Sequence, residues 1–99
     1  MEKRLIKLQK TFSGIGEVKG FEFTQLRESE KGYIYSVSNE GNTHFETFRK
    51  KVTPTLIDFK KRLYSDTEFK ERYPKSKDFG IWAWTFKSID DAIKNLIEL

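Results

Sequence analysis

The single histidine is the side chain of this sequence with the clearest catalytic chemistry. His44 stands two residues before Glu46. On a β-strand, residues two apart point to the same face, so the carboxylate could hold the imidazole ring in one orientation. With one His and no Cys, a His- or Cys-based metal cluster cannot form. We expect no metal site and no cofactor, and an enzyme with His44 or Glu46 as general base is the weakest of three functional hypotheses.

Basic residues concentrate in the middle third of the chain. Residues 49–77 hold ten Lys or Arg and four Asp or Glu, whereas the whole chain of 99 residues has a net charge of +4. Converging cations release counterions from a polyanion, so this segment predicts a surface that binds RNA or single-stranded DNA. A solvated, lysine-rich face of a small protein would give the same pattern. The candidate phosphate-binding residues are Arg49, Lys50, Lys51, Lys60, Lys61, Arg62, Lys70 and Arg72.

Fifteen aromatic residues offer a second kind of contact. Their densest stretch is FGIWAWTF, residues 79–86. A core position is the favoured interpretation for most of them, because a sheet covered by helices must bury one face. Tyr and Trp each have a polar group that can stay in contact with water while the ring is buried. Tyr33, Tyr35 and Trp82 are therefore the candidates for partial exposure and contact with a ligand.

Exposed aromatics would serve two different ligands. On a nucleic-acid-binding surface they would stack on bases. In the alternative function, a protein–protein interaction module such as an adaptor or inhibitor, they would anchor the interface. Both functions describe a small, non-enzymatic binding domain.

Three short motifs resemble functional signatures without their context. GIGEVKG, residues 14–20, has Lys19 where a dinucleotide-binding loop needs glycine. Asp78-Phe79-Gly80 matches a kinase motif in letters, but no glycine loop or catalytic loop accompanies it. Asp90-Asp91 complements the positive end of a helix dipole. We interpret them as two turns and a helix start.

Hydrophobic alternation predicts β-structure in the first half of the chain. The first dozen residues fit a short helix or an edge strand, and we favour the strand. FEFTQLR, YIYSVS and THFETFRKKV, which begin at residues 21, 33 and 43, are separated by turns at EKG and NEGN. These segments predict a three-stranded antiparallel meander.

The second half is predicted to be mostly helical. Thr53-Pro54 is typical of a helix start, and Ser65 with Glu68 has the spacing of a capping box. Residues 53–73 therefore predict two short helices, or one helix broken near Ser65. Residues 81–86 predict a strand, and Ser88 begins a final amphipathic helix. The inward positions of that helix are Ile89, Ala92, Ile93, Leu96 and Ile97.

Together these elements predict a single compact α+β domain over residues 1–99. Its largely antiparallel sheet has four or five strands, a three-stranded meander followed by helices and then a strand. Helices are expected to pack on one face of this sheet, here called the aromatic face, to which alternation assigns Phe21, Phe23, Tyr33, Tyr35, Val37, Trp82, Trp84 and Phe86. MEKRLIKLQK lacks the apolar run of a signal peptide, and no segment approaches the roughly 20 apolar residues of a membrane span. We expect a cytoplasmic protein without membrane contact, either a monomer or a homodimer formed through an edge strand.

Overall fold

The computed structural model describes residues 3–99, in which the chain divides into two units. The first, here called the hairpin unit, consists of Met1–Leu8 and Lys51–Tyr73. The second, the sheet–helix unit, consists of Gln9–Lys50 and Pro74–Leu99. Each unit contains one β-sheet, and the hairpin unit is built from two separate stretches of sequence.

The described residues form eight strands and one α-helix. In chain order they are β1 Arg4–Ile6, β2 Thr11–Ser13, β3 Glu22–Glu28, β4 Gly32–Asn39, β5 Asn42–Arg49, β6 Val52–Asp58, β7 Leu63–Glu71, β8 Ala83–Phe86 and α1 Ile89–Glu98. The sheet–helix unit has an antiparallel five-stranded sheet in the order β2-β3-β4-β5-β8. The hairpin unit has a three-stranded sheet in the order β1-β7-β6, in which β1 is parallel to β7.

The predicted α+β fold, with several helices after the meander, is wrong, because residues 53–73 form the antiparallel pair β6–β7 instead. The backbone N–H of Arg72 donates to the carbonyl of Lys51 at 2.8 Å. Hydrogen-bonded pairs alternate along an antiparallel ladder, which leaves Pro54 opposite Phe69 in a non-hydrogen-bonded pair. Proline loses no ladder bond at that place on an edge strand, so the same residue that suits a helix start also suits β6.

The supposed capping box at Ser65 forms only in part. The Oγ atom of Ser65 accepts hydrogen bonds from the backbone N–H groups of Thr67 at 3.1 Å and Glu68 at 2.8 Å. Both bonds lie inside β7 and not at a helix start. Serine hydroxyls bond to nearby backbone groups in several local conformations, so the spacing alone does not specify a helix.

The sequence correctly predicts the meander and the last helix. β3, β4 and β5 are antiparallel neighbours, and α1 begins at Ile89 as expected. The helix, however, does not pack on the aromatic face. It covers the opposite face, where Ile34 is completely buried with Ala92 and Leu96. Of the five inward positions predicted on α1, Ile97 is wrong, since it is 77% exposed.

The register of β8 places two of its aromatic side chains on the face that α1 covers. Trp84 lies opposite Thr47 of β5, and Phe86 lies opposite Phe45. Residues directly opposite each other in an antiparallel pair share a face. Trp84 and Phe86 therefore stand on the Ile34 face and pack beside α1, whereas Ala83 lies on the tyrosine face opposite Phe48.

The tyrosine face is nevertheless buried. Tyr33, Tyr35 and Phe48 are fully inaccessible to solvent. Their rings contact one another, with centroids 5.7 to 6.0 Å apart. Phe12 continues the cluster by stacking on Phe23 at 4.6 Å. Both faces of β4 thus contribute to a core, as expected for the central strand of this sheet.

Within the described residues 3–99, no helix is long enough to cross a lipid bilayer. Helix α1 has ten residues, and a span requires roughly 20.

Candidate nucleic-acid interface

The turn between β6 and β7, here called the hairpin tip, comprises residues 59–62. The Oδ1 atom of Asp58 accepts a hydrogen bond from the backbone N–H of Lys61 at 3.2 Å. The backbone N–H of Arg62 donates to the carbonyl of Phe59 at 3.4 Å, and Arg62 adopts a left-handed conformation with φ of 50°. Short polar side chains that bond to the backbone two or three residues on are typical of tight turns. The turn is therefore closed by local contacts of its own.

Three consecutive cations and one aromatic ring form the surface of the tip. Lys60, Lys61 and Arg62 are all exposed. Phe59, which precedes them, is 82% exposed. An apolar ring with that exposure beside three cations is available to a ligand that has both negative charge and a flat apolar surface.

The eight cations predicted as phosphate ligands are divided between the two units. Arg49 and Lys50 belong to the sheet–helix unit. The other six, Lys51, Lys60, Lys61, Arg62, Lys70 and Arg72, belong to the hairpin unit. Six of the eight predicted cations therefore share one unit, and three of these six are consecutive residues at its tip.

Lys50 and Arg72 of the predicted set are engaged with other side chains. The Nζ atom of Lys50 lies 2.7 Å from Oε2 of Glu28 and 5.1 Å from the centre of the Tyr33 ring. The Nε atom of Arg72 donates to the hydroxyl of Thr53. Such contacts reduce what a cation can offer to a phosphate. The tip cations are accordingly better placed for a ligand than Lys50 and Arg72.

The formal charge of the protein is unevenly distributed between the units. Residues 1–8 and 51–73 carry nine Lys or Arg and five Asp or Glu, a balance of +4. The remaining residues carry ten of each sign, a balance of zero. The net positive charge of the chain therefore belongs to the hairpin unit alone.

The predicted aromatic contacts lie elsewhere. The expected partial exposure of Tyr33 and Tyr35 is wrong, because both are completely buried. The hydroxyl of Tyr35 donates to the carbonyl of Gln9 at 2.6 Å and accepts from the side-chain amide of Gln25 at 2.9 Å. A buried tyrosine whose hydroxyl has hydrogen-bond partners inside the protein does not need contact with water. Trp82 is half-buried, and its ring contacts Phe48 edge to face at 6.3 Å.

His44 and Glu46 form the pair that their spacing predicted. Nε2 of His44 lies 2.9 Å from Oε2 of Glu46, with 32% of the histidine side chain and 12% of the glutamate side chain exposed. The contact fixes the orientation of the imidazole ring on the face of β5. Among residues 3–99 no group of His, Asp and Glu side chains is arranged to hold a metal ion.

Phe59 is the surface residue that sequence reasoning missed. The helical structure predicted for residues 53–73 would turn an apolar side chain such as Phe59 toward the core and not toward solvent. The available signal was the segment DFKKR, in which Asp58 precedes three cations between two runs rich in β-branched and aromatic residues. That pattern is also typical of a hairpin with a polar turn.

The comparisons with known proteins give no guide to function. No protein-family model matches the chain. Searches of the curated proteins and of the solved structures give no significant match either.

Proposed function

We propose that this protein is a small, non-enzymatic binding domain for RNA or single-stranded DNA, and that its contact surface is the hairpin unit. The observation that supports this proposal is the location of the entire net charge, +4, in the unit whose tip carries Lys60, Lys61 and Arg62. A net positive charge confined to one unit, while the other unit is neutral, supports a polyanion-binding role for the charged unit.

The proposed binding is electrostatic in its main part. Each cation that meets a phosphate releases condensed counterions, so the logarithm of the affinity for a single strand falls with the logarithm of salt concentration by about 0.7 per contact. The three tip cations would together contribute a slope of about 2, which corresponds to roughly 100-fold in affinity at 0.1 M salt. These values set the scale of the test.

The test replaces Lys60, Lys61 and Arg62 together by Gln and measures fluorescence anisotropy with a labelled U10 RNA and a labelled dT10 DNA. We expect the substitutions to weaken binding roughly 100-fold at 0.1 M salt and to lower the salt slope by about 2. The matched control replaces Lys19, Lys31 and Lys87, three exposed cations of the sheet–helix unit, in the same way. It removes an equal charge and should change the slope little.

Equal losses in the two triple variants would show that binding responds to total charge and not to the tip. Absence of salt-sensitive binding by the unmodified protein would reject the proposed function.

A protein partner is the second candidate, and the exposed apolar side chains of the hairpin unit favour it. Thirteen large apolar side chains of residues 3–99 are exposed, and eight of them belong to this unit. Ile57 and Leu63 at 62% and 51% exposure are examples. Aliphatic side chains gain from burial against another apolar surface, but they offer no flat ring to a base. Binding through them would tolerate salt that dissociates a phosphate-bound complex.

A further inference from the structure

Phe59 is the most exposed aromatic residue among the exposed large apolar side chains, at 82%. Its position in the turn leaves it outside the ladder that joins β6 to β7. The core of the protein is aromatic, and its Phe23 and Phe48 rings are almost wholly enclosed. The Phe59 ring, in contrast, is mostly in contact with solvent.

The neighbours of Phe59 define what kind of ligand could use its ring. Lys60, Lys61 and Arg62 follow directly and are exposed. The turn is closed by Asp58 and by a backbone hydrogen bond from Arg62 to Phe59, which limits the freedom of the ring's own backbone. A flat apolar group carried on a chain of negative charges satisfies both the ring and the cations, and an unpaired nucleotide has that chemistry.

We propose that the ring of Phe59 stacks on an unpaired base of the bound strand while the tip cations meet its phosphates. This inference rests on the proposed function. It adds a physical reason for the protein to prefer single strands to duplexes. Bases inside a duplex already stack on their neighbours, so their faces are not free for a ring. Stacking needs no particular base, because every base has a flat face, and little sequence preference follows.

The experiment compares a base-bearing strand with an abasic strand of equal length and charge. The probes are U10 RNA, dT10 DNA and a ten-unit abasic deoxyribose-phosphate strand, measured by competition anisotropy at 0.1 M salt. We expect the unmodified protein to bind the base-bearing DNA about tenfold more tightly than the abasic strand. The RNA arm then shows whether the sugar changes the affinity.

Three variants assign the difference to the ring. Phe59→Leu keeps an apolar side chain but removes the flat face, so the tenfold preference should vanish while affinity for the abasic strand stays unchanged. Phe59→Trp keeps a flat face and should retain the preference. Its emission should change when a strand binds by more than that of the unmodified protein, whose emission comes from Trp82 and Trp84. Ile15→Ala is the matched control, since Ile15 of the sheet–helix unit is 83% exposed, and it should leave the preference intact.

Each outcome has a distinct meaning. Equal binding of the abasic and base-bearing strands by the unmodified protein, with strong salt dependence, would overturn the stacking inference and leave the proposed function standing. No binding of any strand would overturn both. A Phe59→Trp protein whose emission responds to phosphatidylserine vesicles but to no strand, while the emission of the unmodified protein does not respond, would also overturn both and would indicate a lipid surface as the ligand.

Discussion

Glu40 occupies a backbone conformation that suits few residues. With Gly41 it forms the two-residue loop between β4 and β5, and the two residues have φ values of 50° and 85°. A two-residue hairpin loop with positive φ at both positions has the geometry that favours Asn-Gly. The left-handed conformation costs most side chains about 1 to 2 kcal/mol, whereas Asn tolerates it.

We expect Glu40→Asn to raise the free energy of unfolding by about 0.5 to 1 kcal/mol, because asparagine relieves part of that cost. Urea denaturation followed by far-ultraviolet circular dichroism would measure the change. Glu30→Asn makes the same substitution at an exposed turn residue outside the left-handed region and should have little effect. A loss of stability in Glu40→Asn would contradict the assigned turn.

The tyrosines of β4 show how far single residues could be predicted. Alternation placed Tyr33 and Tyr35 on one face, and the structure confirms that they share it. Their exposure depended on what lies above that face and on whether each hydroxyl finds a partner. The Tyr35 hydroxyl binds Gln25 on the neighbouring strand and the carbonyl of Gln9, and Gln9 is distant along the chain, so the pattern of the meander alone could not have indicated the burial.

At the scale of elements, the buried and exposed faces of α1 should contribute differently to stability. Leu96 is only 8% exposed and belongs to the buried cluster with Ile34, whereas Ile97 is 77% exposed. We expect Leu96→Ala to lower the free energy of unfolding by about 2 to 4 kcal/mol, through lost burial and the cavity left behind. Thermal and urea denaturation would measure it.

Ile97→Ala is the matched control for that prediction, since it removes a similar side chain from the solvent side of the same helix. It should change stability by less than about 0.5 kcal/mol. Similar losses in the two variants would mean that α1 does not pack on the Ile34 face.

Sequence prediction failed for β6 and β7, because their residue patterns suit a helix as well as a strand. Meander strands β3, β4 and β5 have alternating side chains and polar turns, which specify their pairing locally. Pro54 suits both the first turn of a helix and an edge strand, and Ser65 bonds to Glu68 in either case. The choice for β7 also involves its pairing with β1 from the other end of the chain, which no window of sequence contains. The tip, and Phe59 with it, was missed for the same reason.

At the scale of the molecule, the two units differ in what stabilises them. All ten buried apolar residues among residues 3–99 belong to the sheet–helix unit. In the hairpin unit a charged residue, Glu71, is buried, and its Oε1 atom accepts the backbone N–H of Leu8 at 3.0 Å. With few buried apolar contacts, that unit should open more easily than the rest of the protein.

Native-state hydrogen exchange would test this difference. We expect amides of β7, the central strand of the smaller sheet, to exchange through local opening at a much lower free energy than those of β4, the centre of the larger one. The comparison of two central strands controls for fraying at edges. Equal protection of β7 and β4 would show that the two units open only in a common, global transition.

The parallel pairing of β1 with β7 has a consequence for synthesis on the ribosome. The partner of Arg4 is Glu68, so β1 is synthesised well before β7 and remains unpaired until β7 has also been made. β6 and β7 meet through a short turn and can pair quickly, whereas closing the long intervening loop is slow. β1 would then join its sheet last, and until it does so the edge of β7 that it covers stays open to chaperones and to pairing with other strands.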